Sequence, residues 1–258
     1  KTHVKESCKK QIILIRINNI IKEQKMRKQL ITILGAFGIL LSSFSTASSF
    51  EGFSVGIVYG DTDFTTKGTE SDNKGVNGAV PEITTGTAPT INHDVYSYFL
   101  EYTTGQGSTF GVELIPDSAT VGTKTRTADG TVSAGAAKNE VNGEQTAKGE
   151  VSDHITYYAE PTWMMTEGFG VFVKGGAANV TVATKEVLAS NSTYGDQDVW
   201  GVMTGFGAKA FYGNFFAKLE YVETEYGEVA LQSTTGNKNQ ITADIDSEAT
   251  RVAIGYNF

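Results

Sequence analysis

Seven charged side chains stand out because each interrupts an otherwise small or apolar face of an alternating stretch of sequence. They are Glu101, Glu113, Glu160, Glu220, Lys174, Lys218 and Arg251. In apolar surroundings such charges must pair, because an isolated charge is costly to remove from water. A paired set of this kind could form a proton or ion path, or it could be a structural plug. We favour the plug.

Two neighbouring pairs of a histidine and an acid are the other candidates for chemistry: His93 with Asp94, and Asp153 with His154. A histidine beside an acid could act in a lipid hydrolase or hold a metal ion. Each pair falls at the end of a predicted strand, and the spacing fixes no third partner. The sequence therefore predicts no catalytic residues, no metal site and no cofactor.

The elements that would position these residues are β-strands. The C-terminal stretch shows the pattern best, with Val252, Ile254, Tyr256 and Phe258 on one face and small or polar residues on the other, a period of two. Seven further stretches alternate similarly, which predicts eight strands in all: 50–60, 93–102, 107–115, 153–161, 169–182, 198–209, 215–226 and 252–258.

The connections between these strands alternate between long and short. The long ones are rich in Thr, Gly, Asp and Asn, and we expect loops without a core of their own at 61–92, 117–152, 184–197 and 227–246. Tyr212-Gly213-Asn214 is a predicted tight turn. Both ends of the strand set lie on the short-turn side, as in an up-and-down barrel that crosses a membrane.

The composition of the two faces indicates which one is inside. In a lipocalin-like soluble barrel the apolar face would line the cavity, and the other face would meet water. Here the other face is mostly Gly, Ser and Ala with isolated charges, which suits a narrow eight-stranded lumen better than a solvated surface. The aromatic and Met side chains that share this face leave little room for water: Phe99, Phe172, Met203 and Phe216.

The first 49 residues have the features of a segment that is removed on export. Met26-Arg27-Lys28, the apolar run 30–41 and the small residues Ala47-Ser48-Ser49 predict a signal peptide over 26–49, cleaved before Phe50, with 1–25 as an upstream extension. Subtracting this segment's nine Lys or Arg and two Glu from totals of 21 and 29 leaves 12 basic and 27 acidic residues, a net charge of about −15. Such a balance argues against a nucleic-acid partner, because nucleic-acid binding needs a basic surface. Cys8 is the sole cysteine, so no disulfide is expected within 50–258.

Residues 50–258 resemble the small eight-stranded bacterial outer-membrane β-barrels of the outer-membrane protein A and X type, in strand pattern, connection lengths and the final aromatic residue. The resemblance implies an all-β, antiparallel barrel without a periplasmic domain, with its long loops outside the cell and both termini periplasmic. It also implies outer-membrane lipids, including lipopolysaccharide, as surroundings. The barrel-assembly machinery would bind the final strand through Val252, Ile254, Tyr256 and Phe258.

The function expected from this resemblance is a structural or cell-surface interaction role, with the lumen plugged by charged and aromatic side chains. A narrow, porin-like pore for small solutes is the alternative, and a lipid-modifying enzyme is a weaker one. Eight strands disfavour the pore, and the lack of a recognisable catalytic set disfavours the enzyme. No ligand of the long loops can be read from the sequence.

Overall fold

The computed structural model describes residues 50–72, 82–128, 143–187, 193–234 and 239–258. The predicted upstream extension and signal peptide lie outside the described residues. The part that is described is all β-structure, and no helix in it is long and apolar enough to cross a membrane.

Twelve strands follow one another in the described part of the chain. Their bounds are β1 Gly52–Asp72, β2 Glu82–Thr87, β3 Ile91–Thr103, β4 Thr109–Ile115, β5 Ala119–Ala128, β6 Gly143–Glu160, β7 Thr162–Thr166, β8 Phe169–Val187, β9 Asp196–Tyr212, β10 Phe215–Tyr226, β11 Val229–Gln232 and β12 Gln240–Asn257.

Eight of these strands close a ring in which every neighbour is antiparallel, and the predicted eight-stranded up-and-down barrel is thereby confirmed. The ring runs β1-β3-β4-β6-β8-β9-β10-β12 and returns to β1. The remaining four strands extend existing columns: β2, β5 and β11 continue β3, β4 and β10 at one end, and β7 continues β6 at the other. The β1–β12 ladder that closes the ring extends from Ser54↔Asn257 to Ser71↔Gln240.

A band of large apolar side chains faces outward around the ring. Phe53, Val55, Ile57 and Tyr59 form it on β1, and Ile57 is 56% exposed. The four residues of the predicted assembly signal, three on β12 and Phe258 directly after it, continue the band, and each points outward. An apolar surface of this extent around a closed barrel needs lipid to cover it, so the band marks the membrane-spanning part.

The predicted loops are wrong in one respect, because strands continue far into them. The outer ends of β1, β6 and β12, together with β2, β5 and β11, occupy much of 61–92, 117–152 and 227–246, and β8 and β9 extend into the two ends of 184–197. These segments form what we call the distal part of the barrel, at the end opposite the short turns. The short connection between the predicted strands 153–161 and 169–182 likewise contains β7.

The two faces of the wall exchange character where the distal part begins. On β1 the outward residues change from Tyr59 to Asp61 and Asp63, whereas the inward ones change from Gly60 to the buried Phe64. Above the lipid the outside is water, so the apolar side chains turn inward, as in a soluble barrel. Eleven buried residues form this distal core: Phe64, Val121, Val151, Ala178, Val180, Val182, Val199, Tyr226, Val229, Leu231 and Ile245.

Candidate functional site

The candidate site is a cluster of buried charges in the lumen at the level of the lipid-facing band. Seven of the eight ring strands contribute to it, through eight side chains: Glu101, Glu113, Glu160, Lys174, Lys209, Lys218, Glu220 and Arg251. We call this set the charge network. Strand β1 contributes none, and a Cβ at its Gly60 would lie only 3.1 Å from Cγ of Arg251. The glycine therefore leaves space for the arginine.

Arg251 joins two carboxylates at the distal side of the network. Its Nη1 and Nη2 donate to the two oxygens of Glu113 at 2.8 and 2.9 Å, and its Nε donates to Oε1 of Glu220 at 2.8 Å. The Ser97 hydroxyl also donates to Glu113, at 2.6 Å. A two-pronged arginine contact of this kind is strong and fixes the geometry of both partners.

Lys174 occupies the centre of the network. Its Nζ lies 3.0 Å from Glu220, 3.3 Å from Glu160 and 3.9 Å from Glu113. It also lies 4.0 Å from the centroid of the Tyr158 ring, in a cation–π contact. One ammonium group thus links three strands of the wall to the strand that carries it.

Glu160 forms ion pairs with three lysines at the side of the network nearer the short turns. Its carboxylate lies 2.8 Å from Nζ of Lys218, 3.2 Å from that of Lys209 and 3.3 Å from that of Lys174. Lys218 also binds Glu101 at 2.6 Å, and that carboxylate accepts the Tyr158 hydroxyl at 2.8 Å. Most of these ion pairs therefore join strands that are not neighbours in the ring, and only Lys174–Glu160 and Arg251–Glu220 join adjacent strands.

The structure brings all seven of the charged residues singled out by sequence into this one network. Sequence reasoning missed an eighth, Lys209, which donates to the Gly107 carbonyl and the Thr109 hydroxyl as well as to Glu160. The signal was available, because Lys209 is in phase with Gly205 and Gly207 on the inward face of β9. With it, four acidic residues face four basic ones.

Aromatic rings fill the lumen between the network and the short turns. Phe50 and Phe211 stack with centroids 4.1 Å apart, and Phe216 lies 5.7 Å from Phe211 and 6.0 Å from Phe99. Glycines make room for these rings: a Cβ at Gly56 would overlap Phe99, and one at Gly255 would overlap Phe216. This aromatic floor, Phe50, Phe99, Phe211 and Phe216, supports the network through Lys218, whose Nζ is 5.3 Å from the Phe99 centroid.

The two histidine–acid neighbours do not form acid–base pairs in the described residues. His93 Nε2 lies 2.8 Å from the Thr120 carbonyl, whereas Asp94 accepts the Tyr59 hydroxyl at 2.7 Å on the outer face. His154 Nε2 lies 3.2 Å from the Tyr226 hydroxyl, while the side chain of Asp153 is exposed. Within the described part of the chain, no group of three or more His, Cys, Asp or Glu residues could hold a metal ion.

Comparison with known proteins gives structural neighbours only. No family model and no curated protein matches the sequence. Outer membrane protein OprG from Pseudomonas aeruginosa shares 16% identity at a TM-score of 0.43, covering 83% of this chain and 99% of its own. Neisserial surface protein A shares 12% at 0.39, covering 80% and 97%. Ail, the attachment invasion locus protein of Yersinia pestis, shares 10% at 0.32, covering 78% and 99%.

The closed ring, the outward apolar band and the charged lumen define the class of this protein without appeal to any neighbour. A wall with apolar residues outside and paired charges inside is stable in lipid and unstable in water. The chain is therefore a small transmembrane β-barrel of the kind found in bacterial outer membranes. Its particular role has to be inferred from how the lumen is filled.

Proposed function

We propose that this protein is a non-conducting outer-membrane barrel that serves as a structural and cell-surface interaction element. The membrane-spanning part anchors it, and the distal part presents strands and connections at the cell surface. Two features support this role. The lumen is filled with side chains and leaves no path for solutes, and the strands extend well beyond the lipid-facing band.

The observation that carries this proposal is the completeness of lumen filling. Glu160, in mid-lumen, is 0% exposed, and Lys209 is 1% exposed. Below them lies the aromatic floor, and above them Tyr158, Met203, Val222 and Ala249 pack together before the distal core begins. Because these charges are buried and already paired with one another, none of them offers a binding site to a passing ion.

Conductance separates this proposal from its alternative, a narrow pore. Refolded protein in a planar bilayer should show no steady channel. A stable open state of ordinary porin size would refute the plugged barrel and make the pore the better description. Analysis of lipid A from expressing and non-expressing cells tests the weaker alternative, a lipid-modifying enzyme, and should show no new species.

The orientation is part of the proposal: the distal part faces the medium, and the short turns face the periplasm. Thr125 and Asn214 are exposed and lie at opposite ends of the barrel, so each provides a site for a single cysteine. On intact cells a membrane-impermeant thiol reagent should label Thr125→Cys and not Asn214→Cys. The opposite pattern would invert the barrel.

We also propose that β12 is read by the barrel-assembly machinery through Val252, Ile254, Tyr256 and Phe258, and that lipopolysaccharide surrounds the folded barrel. The support is that all four side chains face outward and that Phe258 is 73% exposed, so a partner can reach them before lipid does. Phe258→Ala should lower the amount of heat-modifiable barrel in the outer membrane while secretion continues. Normal amounts of folded barrel would contradict this reading.

A further inference from the structure

The wall of the barrel is interrupted where the distal part begins, between β3 and β5. The β3–β4 ladder ends at Tyr98↔Leu114, whereas the β3–β1 ladder continues to Ile91↔Phe64. Strand β5, which continues the β4 column, pairs with β6. Among the described residues no ladder joins β5 to β3, so 91–97 of β3 face 119–121 of β5 without strand pairing. We call this interruption the seam.

Two side chains bridge the seam. His93 of β3 contacts the Thr120 carbonyl at 2.8 Å through Nε2, which must carry a hydrogen to donate to that acceptor. Thr66 of β1 donates from its hydroxyl to the Val121 carbonyl at 3.0 Å. Both bonds end on backbone oxygens of β5, so they take the place of ladder hydrogen bonds on that strand.

Bulges lie beside the seam at the same height. The register of β5 on β6 shifts between Thr120 and Gly122, and that of β6 on β8 shifts between Ser152 and Ile155. Within the second bulge Asp153 has φ of 50°, a left-handed conformation that costs free energy for a residue with a side chain. Bulges interrupt ladders and bend strands, so β5 and the distal half of β6 have a hinge where they leave the membrane-spanning part.

We propose that the distal part opens along the seam, with β5, the distal half of β6 and the outer end of β8 that pairs with it bending away from β3 and β1 about these bulges. His93 and Thr66 are the latch. The movement exposes one side of the distal core, beginning with Val121 on β5 and Phe64 on β1. The charge network and the aromatic floor lie below the hinge and stay closed.

The opposite side of the distal part is joined more firmly. Strand β8 pairs with β9 without a break as far as Ala183↔Asp196. Between β9 and β11 the described residues form no ladder, but a backbone hydrogen bond from the Gly227 amide to the Trp200 carbonyl at 2.9 Å joins the two columns, and the Gln197 side chain of β9 accepts the Ala230 amide of β11 at 2.8 Å. Val199 of β9 belongs to the same distal core as Val121, and both are almost fully buried. The two valines therefore separate opening at the seam from loosening of the whole distal part.

Single cysteines at these positions provide the test, in the folded protein in lipid with Cys8 replaced by Ser. Val121→Cys should react slowly with a polar maleimide added from outside, and Val199→Cys should react far more slowly. Removing the latch with Thr66→Val and His93→Phe should speed labelling of Val121→Cys on the order of tenfold, the effect of losing two hydrogen bonds. Thr65→Val, which removes an exposed hydroxyl facing Thr90, is the matched control and should change nothing.

Ala253→Cys, buried in the membrane-spanning lumen, should stay unlabelled in both backgrounds. Two results would overturn the proposal. One is an unchanged labelling rate at Val121→Cys when the latch is removed. The other is an equal rise at Val199→Cys, which would mean that the distal part loosens as a whole.

Discussion

Glu160→Gln tests whether the charge network holds the barrel together. The substitution keeps the volume of the side chain and removes one negative charge from the contacts with Lys174, Lys209 and Lys218, which lie at 3.3, 3.2 and 2.8 Å. Four acidic residues against four basic ones become three against four. The network then contains an uncompensated positive charge that water does not reach.

The loss of the Glu160 charge does not affect the three lysines equally. Lys218 keeps Glu101 at 2.6 Å and Lys174 keeps Glu220 at 3.0 Å, whereas Lys209 keeps contacts to the neutral oxygens of Gly107 and Thr109. Removing one partner of a buried ion pair costs about 3 to 5 kcal/mol. We expect a loss in that range, most of it from Lys209. The double variant Glu160→Gln with Lys209→Met should lose less than Glu160→Gln alone, because it also removes the charge left without a partner.

The measurement is the free energy of unfolding in urea for protein refolded into lipid vesicles, followed by tryptophan fluorescence. Glu223→Gln is the matched control, because this carboxylate is exposed and accepts the Tyr221 hydroxyl at 2.9 Å; its effect should stay within about 0.5 kcal/mol. A loss below about 1 kcal/mol for Glu160→Gln would refute the reasoning. So would a double variant that is less stable than the single one.

Two further predictions address the two halves of the wall. Ile254→Arg places a charge on the lipid face, where Ile254 is 55% exposed, and should cost about 2 to 4 kcal/mol of unfolding free energy; Ala253→Ser, facing the lumen, should cost much less, and equal costs would contradict the assignment of faces. Phe64→Ala should weaken the distal part by about 3 kcal/mol. It should appear as faster amide hydrogen exchange in β5 with unchanged exchange at 216–222, and uniform acceleration would show that the two parts unfold together.

Much of the membrane-spanning part could be predicted from the sequence, because there the large apolar residues of the period-two pattern stay on the outward face. Strand β10 was predicted with its observed bounds, Phe215–Tyr226, and the predicted tight turn is present, with Gly213 at a positive φ of 59°. The inward direction of Phe99 and Phe216 was also predicted, since glycines on the same face leave space for them. Each of these features depends on the residues of a single strand.

The pairing within the charge network could not be predicted in the same way. Arg251 meets Glu113, and Lys218 meets Glu101, across the lumen rather than along a ladder. Which charges meet depends on the tilt of the strands and the stagger of the ladders, and neither appears in the alternation of a single strand. The membership of the network follows from the pattern, whereas its connections require the closed barrel.

The distal part was missed for a different physical reason, which affects the prediction of strand ends in any membrane barrel that projects into water. On β1 the phase of the alternation is unbroken from Phe53 to Phe64, and what changes at Asp61 is the solvent outside the wall. Water there favours carboxylates and threonines outward, and burial favours Phe64 inward, so the apolar stripe moves to the other face within a single strand. A search that follows one face therefore records an end of strand where the chain has only left the lipid. The better signal is an inversion of the stripe without loss of its period, and β12 shows the same inversion between Val252 outward and Ile245 inward.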